Sequence, residues 1–339
     1  MDITTKNLPT ALIRVLERQL TPYIHSSPGM GKSEIVRQVA THFNLTLIDC
    51  RLSQMDPVDL LGMPAIKGNR CEYKLPLMFP LVGDPIPEGK NGWLIFFDEL
   101  NTANPAMQAG AYKLILENMV GDEPLHPNVV KVAAGNLDSD RAVTNRLSTA
   151  LQSRMVHFNL VLDAERQDWL NWAVDSNIDP RILGFIQFRK NLLHNFNPAH
   201  KDNTFPCPRT WVFLSTLIQG KKVLDELDTI IAAGTVGEGP ALEFMGFCRH
   251  YESLPTIQQI LSSPETVPFP ESPEVYFALT SLVAYEATPS NLSQLVKLVN
   301  RLPLDFQIVA WRTALRKQRD LINEPSMKAW VTQNAKELL

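Results

Sequence analysis

The string Ser26-Ser27-Pro28-Gly29-Met30-Gly31-Lys32-Ser33 carries the residue types that cradle a polyphosphate. Gly29 and Gly31 let backbone N–H groups face phosphate oxygens with no Cβ in the way, and a helix starting after them adds partial positive charge. Lys32 is placed to reach the β- and γ-phosphates and Ser33 to ligate Mg²⁺. Ser27, Pro28, Gly29, Met30, Gly31, Lys32 and Ser33 are thus the candidate nucleotide-binding set, with ATP and Mg²⁺ as the implied ligands. The first glycine of the GxxxxGK[ST] pattern is Ser26 here, a small residue that a permissive turn accepts. The plainer reading is a polar turn capping a helix.

Two further strings compete with that plainer reading. Trp93-Leu94-Ile95-Phe96-Phe97-Asp98-Glu99 is an apolar run ending in two carboxylates. Asp98, at the end of a strand beside the phosphate loop, would hold the metal shell. Glu99 would orient and deprotonate the attacking water of a phosphoryl transfer. An Asp-Glu pair after a strand can also be a helix N-cap, but its place downstream of a phosphate loop weakens that alternative. Val132-Ala133-Ala134-Gly135-Asn136 is a second strand-like run, ending in an amide. Asn136 can hydrogen-bond both a γ-phosphate and the lytic water, although Asn after Gly also turns chains.

These residues must be held by strands that end together. Residues 8–20 have helical spacing, with Leu8, Ala11, Leu12, Val15, Leu16 and Leu20 on one face, and Thr21-Pro22 is the expected stop. Strands are expected at Tyr23 to His25, Leu45 to Leu52, Trp93 to Phe97, Val129 to Ala134 and Met155 to Leu162, with helices over 34–43 and 105–118 between them. Four of the strands are near-continuous apolar runs, which suit a parallel sheet covered by helices on both faces. The expected class is therefore α/β, a parallel-sheet core followed by helices alone from Asp163 onward. Pro-rich turns at 205–208 and 267–270 break the helical patterns, and a weaker boundary falls near 262–273. Three segments follow: a nucleotide-binding domain over 1–162, a helical lid over 163–262 and a helical extension over 263–339.

Composition sets bounds on the class. The 339 residues are 45% hydrophobic and 20% charged, with a net charge of -4, which suits a globular protein and argues against a nucleic-acid coat, normally basic. Cys50, Cys71, Cys207 and Cys248 are scattered with no CxxC pair, so no zinc site is expected. Met1 to Lys6 has no signal-peptide character, and no apolar stretch is long enough to cross a bilayer. The expectation is a soluble, cytosolic chain.

The phosphate loop, the WLIFFDE run, the Asn-ended strand, then Ala150-Leu151-Gln152-Ser153-Arg154 and Pro208-Arg209 together resemble the AAA+ superfamily over roughly residues 1–220. Within it, Asp59-Leu60-Leu61-Gly62, Asp98-Glu99-Leu100-Asn101 and Val132 to Asn136 look like MoxR-type ATPases. The resemblance implies Walker A roles for Lys32 and Ser33, Walker B roles for Asp98 and Glu99, and a sensor 1 role for Asn136. It implies an arginine finger at Arg154, with Arg146 as competitor, and a sensor 2 role for Arg209. A surface salt bridge is the plain alternative for any of these arginines. The stretch from Leu61 to Pro80 resembles an insertion carrying a pore-facing loop, although Lys67, Arg70 and Lys74 read equally as a solvated hairpin. The implied activity is ATP hydrolysis to ADP and phosphate by a homo-oligomeric ring, expected to be a hexamer, that remodels a protein partner carrying a von Willebrand factor A domain. A DNA-directed motor and a non-hydrolysing nucleotide switch are the alternatives. The acidic balance disfavours the first, and the presence of Glu99, Asn136 and Arg154 disfavours the second.

Overall fold

The computed structural model describes residues 2–137, 140, 145, 147–199 and 202–338. The chain divides into two compact units, one of Met1–Asp163 with Asn197–Ala199, the other of Ala164–Phe196 and His200–Leu339.

In the first unit the elements are β1 (Asp2–Thr4), α1 (Leu8–Leu16), β2 (Thr21–His25), α2 (Lys32–His42), β3 (Thr46–Arg51), α3 (Pro57–Leu61), β4 (Met63–Lys67) and β5 (Arg70–Lys74). There follow β6 (Trp93–Asp98), α4 (Pro105–Tyr112), β7 (Met119–Val120), β8 (Glu123–Pro124), β9 (Val129–Gly135), α5 (Thr149–Gln152) and β10 (Met155–Val161). Six strands form one sheet in the order β1-β10-β2-β9-β6-β3, and every neighbouring pair is parallel. The strand side chains alternate between two cores, as pleating requires. Ile24, Leu94, Phe96, Val132 and Ala134 pack with Leu12 of α1 and Val36 of α2. Tyr23, Ile95, Phe97 and Ala133 pack on the other face with Met107 and Ala111 of α4. Both faces are therefore dry, which explains the unbroken apolar runs.

The second unit is helical throughout its described residues: α6 (Gln167–Asp175), α7 (Pro180–Phe188), α8 (Pro208–Ile218), α9 (Glu226–Val236), α10 (Glu238–Glu252), α11 (Ile257–Ser262), α12 (Pro273–Glu286), α13 (Leu292–Val299), α14 (Leu304–Lys317) and α15 (Pro325–Leu338). Helix α12 packs against α7, α10 and α14. A buried pair ties α7 to α8: Arg181 donates to both Asp179 oxygens at 2.9 and 2.8 Å and to the Ile218 carbonyl at 3.0 Å. Such a pair stands the loss of hydration because both carboxylate oxygens accept from the guanidinium, which also reaches a backbone carbonyl. The α/β class with a helical C-terminal part is as the sequence implies. Among the described residues no helix is long and apolar enough to cross a membrane.

Several local expectations need correction. Helix α1 ends at Leu16, and Gln19, at φ 58°, breaks the chain away before Thr21-Pro22, which belong to β2. Leu20 is consequently half exposed and not on the helix's buried face. The helix expected over 105–118 stops at Tyr112 and widens to a π-turn over Lys113–Glu117, closed by Asn118 at φ 56°. The short edge strand β1 has no sequence signal of its own. The hairpin β4–β5 is antiparallel and exposed on both faces, so its residues show no core pattern. Gly62 permits it, because a Cβ there would lie 2.6 Å from the Lys74 carbonyl oxygen at φ +90°.

Candidate functional site

Strand β2 delivers the chain to the loop 26–33, and α2 begins at Lys32. Gly29 and Gly31 have φ of 78° and 88°, left-handed values open to glycine at little cost. Lys32 Nζ folds back over the loop and donates to Ser26 O at 3.1 Å, Ser26 Oγ at 3.0 Å and Asn136 Oδ1 at 3.4 Å. The replacement of glycine by Ser26 thus has a structural use. Ser26 is fully buried, and its hydroxyl accepts from Lys32 while donating to Ser27 O at 3.0 Å.

The carboxylate pair stands at the end of β6. Ser33 Oγ donates to Asp98 Oδ2 at 3.4 Å, and Asp98 Oδ1 accepts from the Glu99 N–H at 2.9 Å. Burial pushes the Asp98 carboxyl above its ordinary range, against the opposing pull of Lys32. Glu99 has a left-handed φ of 57°, a conformation costing of order 1–3 kcal/mol that its surroundings must enforce. Thr102 and Ala103 N–H groups donate to Glu99 O at 3.0 and 3.1 Å, and Leu100 N donates to Ala134 O at 2.9 Å. The Glu99 carboxylate accepts from the Ser53 hydroxyl, two residues past the end of β3.

Ser33 and Asp98 offer hard oxygen donors, which suit Mg²⁺. That ion commonly takes one or two protein carboxylates and completes its shell with water and phosphate. Among the described residues no group of three or more His, Cys, Asp or Glu could hold a metal ion.

Asn136 follows β9. Its backbone is gripped by the buried Asn101, whose Oδ1 accepts from Asn136 N at 3.0 Å and whose Nδ2 donates to Asn136 O at 2.8 Å. Asp140 accepts from Ser27 Oγ at 3.2 Å and so tethers the 26–33 loop to the segment after β9. Ser53, Asp140 and the clamping role of Asn101 escaped the sequence reading. Each acts through register between strands distant in sequence, for instance Arg51 opposite Asp98, and no local spacing signals that.

Arg154 lies exposed just past α5 and donates to Ala150 O at 3.3 Å; it makes no ion pair among the described residues. The competing Arg146 lies outside the described residues. Arg209 is exposed in the first turn of α8, in the second unit. The structure therefore brings together Ser26 to Ser33, Asp98 and Asn136, with Glu99 alongside, and sets both arginines on separate elements.

No family model matches the chain, and no curated protein matches it. Among solved structures, a suspected ATPase from Cytophaga hutchinsonii is 15% identical, covering 99% of this chain and 90% of its own at a TM-score of 0.35. A mutant of Thermotoga maritima RuvB is also 15% identical, covering 97% of this chain and 86% of its own at a TM-score of 0.37. Neither likeness bears on function, which rests on the residues above.

Proposed function

We propose that the chain is a Mg²⁺-dependent ATPase of the AAA+ kind and MoxR type, hydrolysing ATP to ADP and phosphate. The supporting observation is the meeting of Lys32, Ser33, Asp98 and Asn136 at the carboxyl ends of the adjacent strands β2, β9 and β6, where parallel α/β sheets bind ligands. Lys32 exchanges its contacts with Ser26 and Asn136 for the β- and γ-phosphates. Ser33 and Asp98 hold Mg²⁺, which when bound neutralises charge on the phosphate oxygens. Glu99, released from Ser53, orients the attacking water and takes its proton. Asn136 fixes that water against the γ-phosphate. Arg154 serves the pocket of a neighbouring copy in a homo-oligomeric ring of six, and Arg209 has the sensor 2 role. Turnover in the cytosol is coupled to remodelling a protein partner with a von Willebrand factor A domain.

Titration with a fluorescent ATP analogue and a phosphate-release assay test the core of this reading. Lys32→Ala should weaken binding at least about tenfold and abolish turnover, since charged contacts to phosphate are each worth about 1.5–3 kcal/mol. Glu99→Gln should bind as the parent does and fail to hydrolyse. A Lys32→Ala variant that binds ATP like the parent would sink the assignment.

A further inference from the structure

Asn101 is a polar side chain with 4% of its surface exposed, and its carboxamide is spent on the backbone of a single residue. One edge of a carboxamide presents an acceptor and a donor side by side, so it can pair with both the N–H and the C=O of one residue. Asn101 uses both on Asn136, accepting from its N–H at 3.0 Å and donating to its C=O at 2.8 Å. The contact extends the link begun one residue earlier by Leu100 N on Ala134 O at 2.9 Å.

The same residue reaches in a second direction. Its carbonyl accepts from Asn145 N at 2.6 Å, and Asn145 Nδ2 donates to Ala103 O at 2.9 Å. Gln108 Nε2 closes the turn onto Ala103 O at 3.3 Å. The Glu99 turn and the tip of β9 are therefore joined in one hydrogen-bonded network. Gly135 makes the close approach feasible, because a Cβ there would stand 2.3 Å from Asn101 Oδ1 and 1.9 Å from Tyr23 Oη.

Resting on the ATPase reading above, we propose that Asn101 is a positioning residue, fixing the Asn136 side chain relative to Glu99 so that water and γ-phosphate meet in line. From the backbone held in this orientation Asn136 Oδ1 accepts from Lys32 Nζ at 3.4 Å. Without the clamp, ATP binding through Lys32 and Ser33 persists and the chemical step slows. Misplacement of such a group by about 1 Å costs on the order of 10²-fold in rate.

The test uses the full chain and two variants, Asn101→Ala and Asn101→Asp. Nucleotide affinity, saturating turnover and thermal unfolding are measured side by side, with Mg²⁺-ATP as the ligand. Asn101→Ala should lose 10- to 100-fold in kcat with affinity within about twofold of the parent. Asn101→Asp keeps the acceptor for the Asn136 N–H but sets a carboxylate oxygen against the Asn136 carbonyl. Protonation restores a donor there, so its kcat relative to the parent should climb as pH falls from about 8 to 6, burial raising the carboxyl's titration into that range. Parental kcat in Asn101→Ala overturns the inference. So does a loss that falls on affinity or stability alone while the Asn101→Asp ratio stays flat with pH. A parent that binds but never hydrolyses ATP removes the ATPase reading itself, and the inference with it.

Discussion

Lys131 sits within β9 with only 6% of its surface exposed and, among the described residues, no carboxylate as a hydrogen-bond partner. Its ammonium donates to the Leu114 and Ile115 carbonyls at 3.2 and 2.6 Å, and to Asn118 Oδ1. It thereby caps the carbonyl end of the π-turn that follows α4, where a cation suits the helix dipole. Burial lowers its pKa from 10.5 to about 8, so the folded state holds this proton less tightly than the unfolded chain. Between about pH 8 and 10.5 the unfolded chain binds more protons, and stability rises with pH. At about 1.4 kcal/mol per unit, the penalty is about 3 kcal/mol at pH 7 and about 1.4 kcal/mol at pH 9.5. Relative to Lys131→Met, the parent should therefore gain about 2 kcal/mol between those two pH values. Cys50 reports the unfolding of the first unit, because its fully buried thiol, pushed up to about 12 by burial and then by Asp49, reacts only when exposed. Urea titrations with a brief thiol-labelling pulse, read at the Cys50 peptide by mass spectrometry, give both stabilities. A gap between parent and variant that stays constant from pH 7 to 9.5 would refute the reasoning.

Gly135→Ala drives a methyl into Tyr23 and Asn101; the overpacking should cost about 1–3 kcal/mol, visible as a lowered Tm, and an unchanged Tm would show that the site relaxes. Ser53→Ala removes the hydroxyl that occupies the Glu99 carboxylate; a charged hydrogen bond is worth about 1.5 kcal/mol, so basal phosphate release should rise up to about tenfold, and a fall would mean that Ser53 assists the reaction. Arg154→Ala and Lys32→Ala should each be silent alone, since a finger contributes about 10³–10⁵ in rate. Mixed, they should regain phosphate release at interfaces that pair an intact pocket with an intact finger. A flat baseline with subunit exchange confirmed would exclude Arg154 and advance Arg146.

What the sequence disclosed and withheld divides along a physical line. The Ser26–Ser33 loop was legible because its left-handed positions fall on Gly29 and Gly31, a backbone requirement met within eight adjacent positions. The strands β2, β6 and β9 were legible because burial on both faces favours apolar choices, with Lys131 of β9 a buried exception. Asn101 and Ser53 were not, because a polar side chain satisfied across strands leaves no periodic trace. Asn101 Oδ1 meets a residue 35 positions away, and Ser53 meets Glu99 across 46. The π-turn at Lys113–Glu117 was hidden for another reason. Its residues form helix readily, and the widening is favoured by Lys131, a partner on a different element.

The parallel register also explains why the strand tips can carry so many polar groups over an apolar core. On one sheet face His157 stands opposite Tyr23, Tyr23 opposite Ala133, and His25 opposite Gly135. The large rings of β2 fit because β9 offers its smallest side chains where they project. His157 Nε2 lies 2.8 Å from the Gln152 carbonyl; a carbonyl only accepts, so this nitrogen carries a proton, and in the neutral ring Nδ1 is the acceptor. His25 Nε2, 2.9 Å from that Nδ1, must then be the donor. The Tyr23 ring covers His25 edge-on at 4.3 Å, and its hydroxyl borders the point where Asn101 approaches Gly135. A continuous row thus runs from Gln152, two residues before Arg154, past the start of the phosphate loop to the Asn101–Asn136 clamp. A one-residue slip of β9 would turn Lys131 and Gly135 to the opposite face, placing a cation among Ile24, Phe96 and Val36 and a side chain where Tyr23 needs none. The register that assembles the site is therefore the one that the core can tolerate.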